Sequence, residues 1–163
     1  MKKCKSILLL LLCAVLLLSG CSVDGAGKEK TLSCQGLTMT IPSHYRDLME
    51  QGYYSDYTFV YSYGEVTLFA DKVPLDTLEG WEPTLTEFAR NFTYANGINA
   101  LVKEEYGLLT VYYETQGDMT WGCLAAFYSY DGGFWVLQYS CPAETYSELK
   151  QEFLQSLATV ELE

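Results

Sequence analysis

The stretch MTWGCLAAFYSYDGGFWVLQYSC, residues 119–141, carries two aromatic and apolar runs on either side of Asp131-Gly132-Gly133. Asp-Gly between two such runs is the strongest local hairpin signal a sequence offers. It predicts strands over Met119–Tyr130 and Phe134–Cys141, paired antiparallel. With a three-residue loop, Tyr130 stands opposite Phe134, and the same register sets Cys123 opposite Cys141. A cross-strand disulfide then fits if the Cβ atoms approach the usual ~3.8 Å. A two-residue loop moves the register by one and breaks that pairing. Cys34 competes for either partner, and the plain alternative is three buried thiols that behave as small hydrophobes.

Working outward, the same texture recurs. Thr31–Gln35 and Leu37–Ile41 alternate about Gly36, and Pro42 ends the second run. Tyr57–Tyr63 and Glu65–Lys72 flank Gly64 and are rich in β-branched and aromatic residues, so they read as a further hairpin. Ile98–Glu104 and Leu108–Thr115 flank Gly107 in the same way. Ser43–Gln51, closed by Gly52, suits one or two helical turns.

Two segments have helical spacing instead. From Pro83, Thr84 and Glu87 stand at capping-box distance, and Leu85, Phe88, Phe92 and Ala95 make one apolar stripe ending at Asn96-Gly97. After Pro142, Tyr146, Leu149, Phe153 and Leu157 form a second stripe, with Thr159–Leu162 as a final edge strand. The reading is an α+β fold: an antiparallel sheet of about seven to nine strands in a hairpin meander, flanked by two main helices that cover its apolar faces.

The chain begins differently. Lys2, Lys3 and Lys5 precede twelve apolar residues, Ile7–Leu18, and then Ser19-Gly20-Cys21. A basic start, an apolar run and small residues make a secretory signal. The run is shorter than the roughly 20 residues that span a bilayer. Leu18-Ser19-Gly20-Cys21 resembles the lipobox of bacterial lipoproteins, in which the Cys is lipidated and becomes the first mature residue. The resemblance implies that residues 1–20 are a signal peptide and that Cys21 carries the acyl chains. Residues 21–30 would then be the lipidated Cys and a flexible tether (SVDGAGKEK after Cys21), and residues 31–163 a single domain. Two acyl chains make a stable anchor, so the implied location is the extracytoplasmic side of the cell membrane.

Charge narrows the partners. Lys2, Lys3 and Lys5 are three of the ten basic residues, so residues 22–163 keep seven against all 21 acids, a formal charge of −14. That excludes nucleic acid, which is held by Lys and Arg displacing counterions. It also opposes lying flat on an anionic membrane surface.

Little in the sequence carries catalytic chemistry. His44 is the only imidazole, and no Cys pair has metal-ligand spacing, so neither a metal site nor a cofactor is expected. No nucleophile elbow, phosphate loop or dinucleotide glycine pattern occurs. The chain reads as non-catalytic. The aromatic residues are the other candidate: Tyr57, Tyr61 and Tyr63 alternate along one predicted strand and would share one face, with Trp81, Trp121 and Trp135 elsewhere. Rings with a polar handle suit a carbohydrate, peptide or protein surface. Ordinary cross-strand packing explains the same pattern more cheaply.

Three places together resemble the PsbP-like family, which shares its fold with Mog1-type proteins. These are Leu37-Thr-Met-Thr-Ile-Pro42, the helix at Thr84–Asn96, and Asp131-Gly-Gly-Phe-Trp-Val-Leu-Gln-Tyr-Ser-Cys-Pro142 with the helix after it. The resemblance covers nearly all of residues 31–163. It implies a Mog1/PsbP-like sandwich and a non-catalytic module that binds or stabilises a larger assembly, here a protein partner in the cell envelope. A carbohydrate- or peptide-binding lipoprotein using the Tyr/Trp face is the first alternative. An envelope hydrolase using His44 or a carboxylate pair is the second.

Overall fold

The structure, a computed structural model, describes residues 28–52 and 54–163. The predicted signal peptide and the predicted lipidation site, Cys21, lie outside the described residues. The first strand, β1 (Glu29–Cys34), already contains Glu29 and Lys30, which the sequence assigned to the tether. It pairs with β2 (Leu37–Pro42), and β10 (Glu161–Leu162) joins the other side of β2, giving a three-stranded sheet.

A seven-stranded sheet holds the rest in the order β3-β4-β5-β9-β8-β7-β6. Its strands are β3 (Arg46–Asp47), β4 (Phe59–Tyr63), β5 (Val66–Pro74), β6 (Lys103–Glu105), β7 (Leu108–Gln116), β8 (Thr120–Tyr130) and β9 (Gly133–Pro142). Every pairing in both sheets is antiparallel. Among the described residues two α-helices complete the fold, α1 (Leu85–Ala95) and α2 (Tyr146–Leu157). The α+β class predicted from the sequence is the one observed, with ten strands in two sheets.

Helix α1 begins where its sequence says it should. Thr84 is the N-cap: its hydroxyl accepts from the Glu87 amide at 3.3 Å, and Glu87 Oε2 accepts from the Thr84 amide at 2.8 Å. Two otherwise unpaired amides are satisfied reciprocally. Phe88 stacks on Phe134 with centroids 4.2 Å apart, and Phe92 meets Phe127 edge-on at 5.2 Å. These contacts build a core on one face of the large sheet with Ala125, Val111 and Val136.

The other face carries the larger core. Leu68, Leu124, Ala126, Trp135, Leu137, Tyr139 and Cys141 point into it from the sheet. Leu37, Met39 and Ile41 of the small sheet and Phe153, Leu154 and Leu157 of α2 close it. Fully burying each such Leu, Phe or Met gives roughly 1.5–3 kcal/mol, which is what holds the small sheet and α2 on the large one. The layers are therefore small sheet with α2, large sheet, and α1.

Three expectations are corrected. The β8–β9 hairpin closes on two residues, Asp131-Gly132, with Tyr130 opposite Gly133. Cys123 therefore faces Ser140, and Cys141 faces Gly122. Cys123–Cys141 is not a facing pair, and Cys34, Cys123 and Cys141 are all free thiols. The slip follows from Gly133: with no Cβ it joins the ladder at φ 149°, where its backbone lies against Val73. Residues 98–102 are not a strand. Ile98, Ala100 and Val102 cover the α1-side core as a loop, and pairing starts only at Lys103. Between Ser43 and Gln51 the chain makes strand β3 and a single 3-10 turn, Met49–Gln51, in place of the helical turns.

Candidate functional site

Helix α1 is eleven residues long and packs through Phe88, Ala89 and Phe92 on the part of the large sheet that carries Phe127, Phe134 and Val136. Register shows what the rest of the face presents. Phe69 of β5 pairs with Gln138 of β9, which pairs with Ala125 of β8. One step further toward the Pro142 end of β9, Thr67 pairs with Ser140, Ser140 with Cys123, and Cys123 with Tyr113 of β7. The same face then continues to Trp121 and Thr115. These side chains are rings, hydroxyls, one amide, one thiol and the Ala125 methyl. None of them is ionised; the Thr67 row runs on through Ser62 of β4 to the charged Arg46 at the β3 edge.

The polar groups of this half-face bond to one another. The Tyr113 hydroxyl donates to Gln138 Oε1 at 2.5 Å, and the Cys123 thiol donates to Ser140 Oγ at 3.6 Å. Burial pushes the Tyr113 phenol up, and burial also pushes the Cys123 thiol up against the opposing bonds from Ser140, Thr115 and Tyr113. Cys123 is thus a protonated, buried thiol with none of the electropositive surroundings that make a nucleophile. The rim is aromatic: Tyr57 lies on Phe69 at 4.9 Å, and Tyr54 meets Phe69 at 6.2 Å.

This half-face runs into a groove at the sheet margin. Strand β6 pairs only with Leu108, Leu109 and Thr110. From Val111 to Gln116, β7 has β8 on one side and no strand on the other among the described residues. The loop after α1 passes at a distance, leaving a cleft of about 580 Å³ lined by Asn96–Ala100 and by Tyr112–Thr115. Tyr112 and Glu114 line it from one side of the sheet, and Tyr113 and Thr115 from the other. The Tyr112 hydroxyl donates to Glu114 Oε1 at 2.8 Å. Burial first, and then Glu114, push that phenol up to about 12.

The predicted face of Tyr57, Tyr61 and Tyr63 does not form. Strand β4 starts at Phe59, so Tyr57 precedes the alternation, and its ring lies on Phe69. Tyr61 is opposite Leu68, on the other face, where it packs partly buried under the Lys30 ammonium, 5.0 Å above its ring. Tyr63 is 56% exposed and its ring lies tilted against His44, with centroids 4.0 Å apart. Of the other rings, Trp135 is fully buried, while Trp81 is exposed in the loop before α1. Tyr128 and Tyr139 are core residues whose hydroxyls bond to the Leu157 carbonyl and the Ser156 hydroxyl.

His44, Ser43 and Ser62 line a second cleft of about 660 Å³. No hydrogen bond joins the imidazole to either serine among the described residues, and no carboxylate lines that cleft to orient it. Among the same residues no three His, Cys, Asp or Glu side chains converge on one point.

The open half-face was missed at the sequence level because no local pattern says how far a helix covers a sheet. The only available signal was polar: Thr67, Gln138 and Ser140 stand on the side of apolar strands where an apolar residue would be expected.

Comparison with known proteins agrees with this architecture. No family model matches the chain, and no curated protein matches its sequence. Among solved structures, the chain is similar to the cyanobacterial PsbP protein CyanoP from Synechocystis sp. PCC 6803, with a TM-score of 0.55 and 17% identity. That alignment covers 90% of this chain and 99% of the other. A crystal structure from Bacteroides thetaiotaomicron VPI-5482 has the same TM-score at 10% identity, covering 84% of this chain and 48% of that one. The fold is therefore that of an α+β sandwich. More narrowly, that fold is PsbP-like.

Proposed function

We propose that this chain is a lipoprotein anchored through Cys21 on the extracytoplasmic side of the cell membrane, serving the envelope as a non-catalytic binding or accessory module. The observation that carries this reading is Leu18-Ser19-Gly20-Cys21 after a short basic and apolar leader. The domain's entry point supports it. The Ser43 amide bonds to the Lys28 carbonyl at 2.7 Å, and Glu29 stands opposite Pro42. The described chain thus enters the domain beside Pro42–Tyr45, and His44 of that segment packs against Tyr63 at the β4–β5 turn, next to Thr67 of the half-face. Fully extended, the seven residues from 22 to 28 reach at most about 25 Å. An anchored domain would hold that side close to the membrane, where envelope partners are within reach.

The test is metabolic labelling with palmitate in the native host, followed by fractionation and cross-linking. The wild-type chain is expected to take the label, remain with the membrane and cross-link to a defined protein. Cys21→Ala is expected to lose label and membrane association. An unlabelled wild type, or equal release of both into the medium, overturns the anchor.

A second reading, a carbohydrate- or peptide-binding lipoprotein, is favoured by the uncharged ring-and-hydroxyl half-face around Phe69, Gln138 and Tyr113. Such a surface offers stacking and directional hydrogen bonds without long-range attraction or repulsion.

A further inference from the structure

We propose that the free edge of β7, from Val111 to Gln116, receives an extended peptide of a partner protein bearing Lys or Arg, which adds to the large sheet as an eighth strand. This rests on the binding role proposed above and is independent of the anchor.

The first argument is the backbone. An unpaired strand edge presents a row of N–H and C=O groups spaced for another strand, and natural sheets blunt such edges by shortness, charge or cover. The large sheet does so elsewhere. Edge strand β3 has two residues, and β6 has three, all charged (Lys103-Glu104-Glu105). The β7 edge is the exception: six residues, VYYETQ, with one charge and high strand propensity. The cleft of about 580 Å³ lies along four of them. Four residues of strand span about 14 Å. Only an extended polypeptide offers donors and acceptors at the repeat this edge needs. A glycan stacking on the neighbouring half-face would leave them unpaired.

The second argument is charge. Glu114 lines the cleft and is exposed, and Glu104 and Glu105 follow on β6. Of the two nearby cations, Lys150 is paired with Glu105 at 2.7 Å and Lys103 shares β6 with Glu104 and Glu105. With −14 on residues 22–163, a basic segment is attracted and an acidic one repelled. Side chains of an added strand alternate between the two sides of the sheet. One set would meet Tyr112 and Glu114, and the other Tyr113 and Thr115, which calls for a basic residue in the set that meets Glu114.

The test uses full-length protein in mild detergent and a capped heptapeptide of alternating Val and Lys. Hydrogen exchange read by mass spectrometry is expected to slow at least tenfold at the edge-facing amides of residues 111–116. The same peptide N-methylated at every residue has no donors and should give no protection. Glu114→Lys, on an exposed side chain, should weaken the Val/Lys peptide about fivefold and favour a Val/Glu peptide instead. Unchanged exchange at 111–116 with 1 mM peptide (roughly −4 kcal/mol of affinity), protection confined to another segment, or equal protection by the N-methylated peptide overturns the proposal. The half-face reading would survive any of these and is tested by its own ligand.

Discussion

Cys123 and Cys141 leave adjacent strands on opposite faces of the large sheet. Cys123 lies beside Ser140 on the α1 side, and Cys141 is buried in the core under α2. Bridging them needs a one-residue slip of β8 against β9, which would turn the whole inward set of one strand outward. Both thiols should therefore stay reduced in an oxidising compartment. Non-reducing peptide mapping of the purified chain is expected to find Cys123 and Cys141 as free thiols. A Cys123–Cys141 cross-linked peptide in high yield would show a different register.

Gly133 sets that register, and its replacement should be costly. A Cβ there would sit 2.2 Å from the Val73 carbonyl oxygen, a backbone atom that cannot swing away, at φ 149°. Gly133→Ala is expected to lose about 3 kcal/mol or fail to fold, since a forbidden conformation and a main-chain clash add. Gly64→Ala is the control. Gly64 is also at positive φ, 57°, but nothing lies within 4 Å of its Cβ position. Its cost should be about 1 kcal/mol. Denaturant midpoints of the two variants settle the comparison, and equal losses would refute it.

These glycines also show how far the sequence could be read. The hairpin at residues 119–141 and the capping box of α1 are local, and each is found where the residues put it. The loop length was not legible, because Asp-Gly-Gly serves a two- or three-residue closure equally well and the choice depends on Val73, some 60 residues away. The division into two sheets was not legible either. β10 pairs with β2 across more than 120 residues of chain, and no local pattern records that. The tyrosine face failed for a third reason. Tyr57, Tyr61 and Tyr63 alternate correctly on paper, but Tyr57 falls in the turn before β4, and its partner Phe69 is on the other face. The open half-face is defined by where α1 stops covering, which only the assembled layers reveal.

Ser156 ties three elements of two layers together, and that makes it worth more than its size suggests. Its hydroxyl accepts from the buried Tyr139 hydroxyl at 2.9 Å and donates to the Thr40 carbonyl at 2.7 Å. The large sheet, α2 and the small sheet meet at this atom. Ser156→Ala leaves the Tyr139 hydroxyl buried without a partner, and should cost about 2 kcal/mol. Tyr139→Phe removes the donor but leaves Ser156 bonded to Thr40, and should cost about 1 kcal/mol or less. Chemical denaturation of both variants checks the order. A larger loss in Tyr139→Phe, which keeps the ring stacked on Phe153, would overturn this order.

The tyrosines make alkaline pH the sensitive condition. Burial raises the phenols of Tyr45, Tyr113, Tyr128, Tyr139 and Tyr146 well above the ordinary value of 10.0. A phenol whose folded value is raised holds its proton more tightly in the native state. Its contribution is complete below the unfolded value and is lost as pH rises through the folded one. Stability should thus be flat with respect to these groups up to about pH 10 and fall above it, by up to about 1.4 kcal/mol per pH unit for each fully buried phenol. Phenolate absorbance followed with circular dichroism is expected to show the buried set ionising only together with loss of the dichroism. Removing one buried phenol by Tyr128→Phe should reduce the steepness of that loss. If the buried phenols ionise near pH 10 while the dichroism persists, the core packing described for Tyr128 and Tyr139 is wrong.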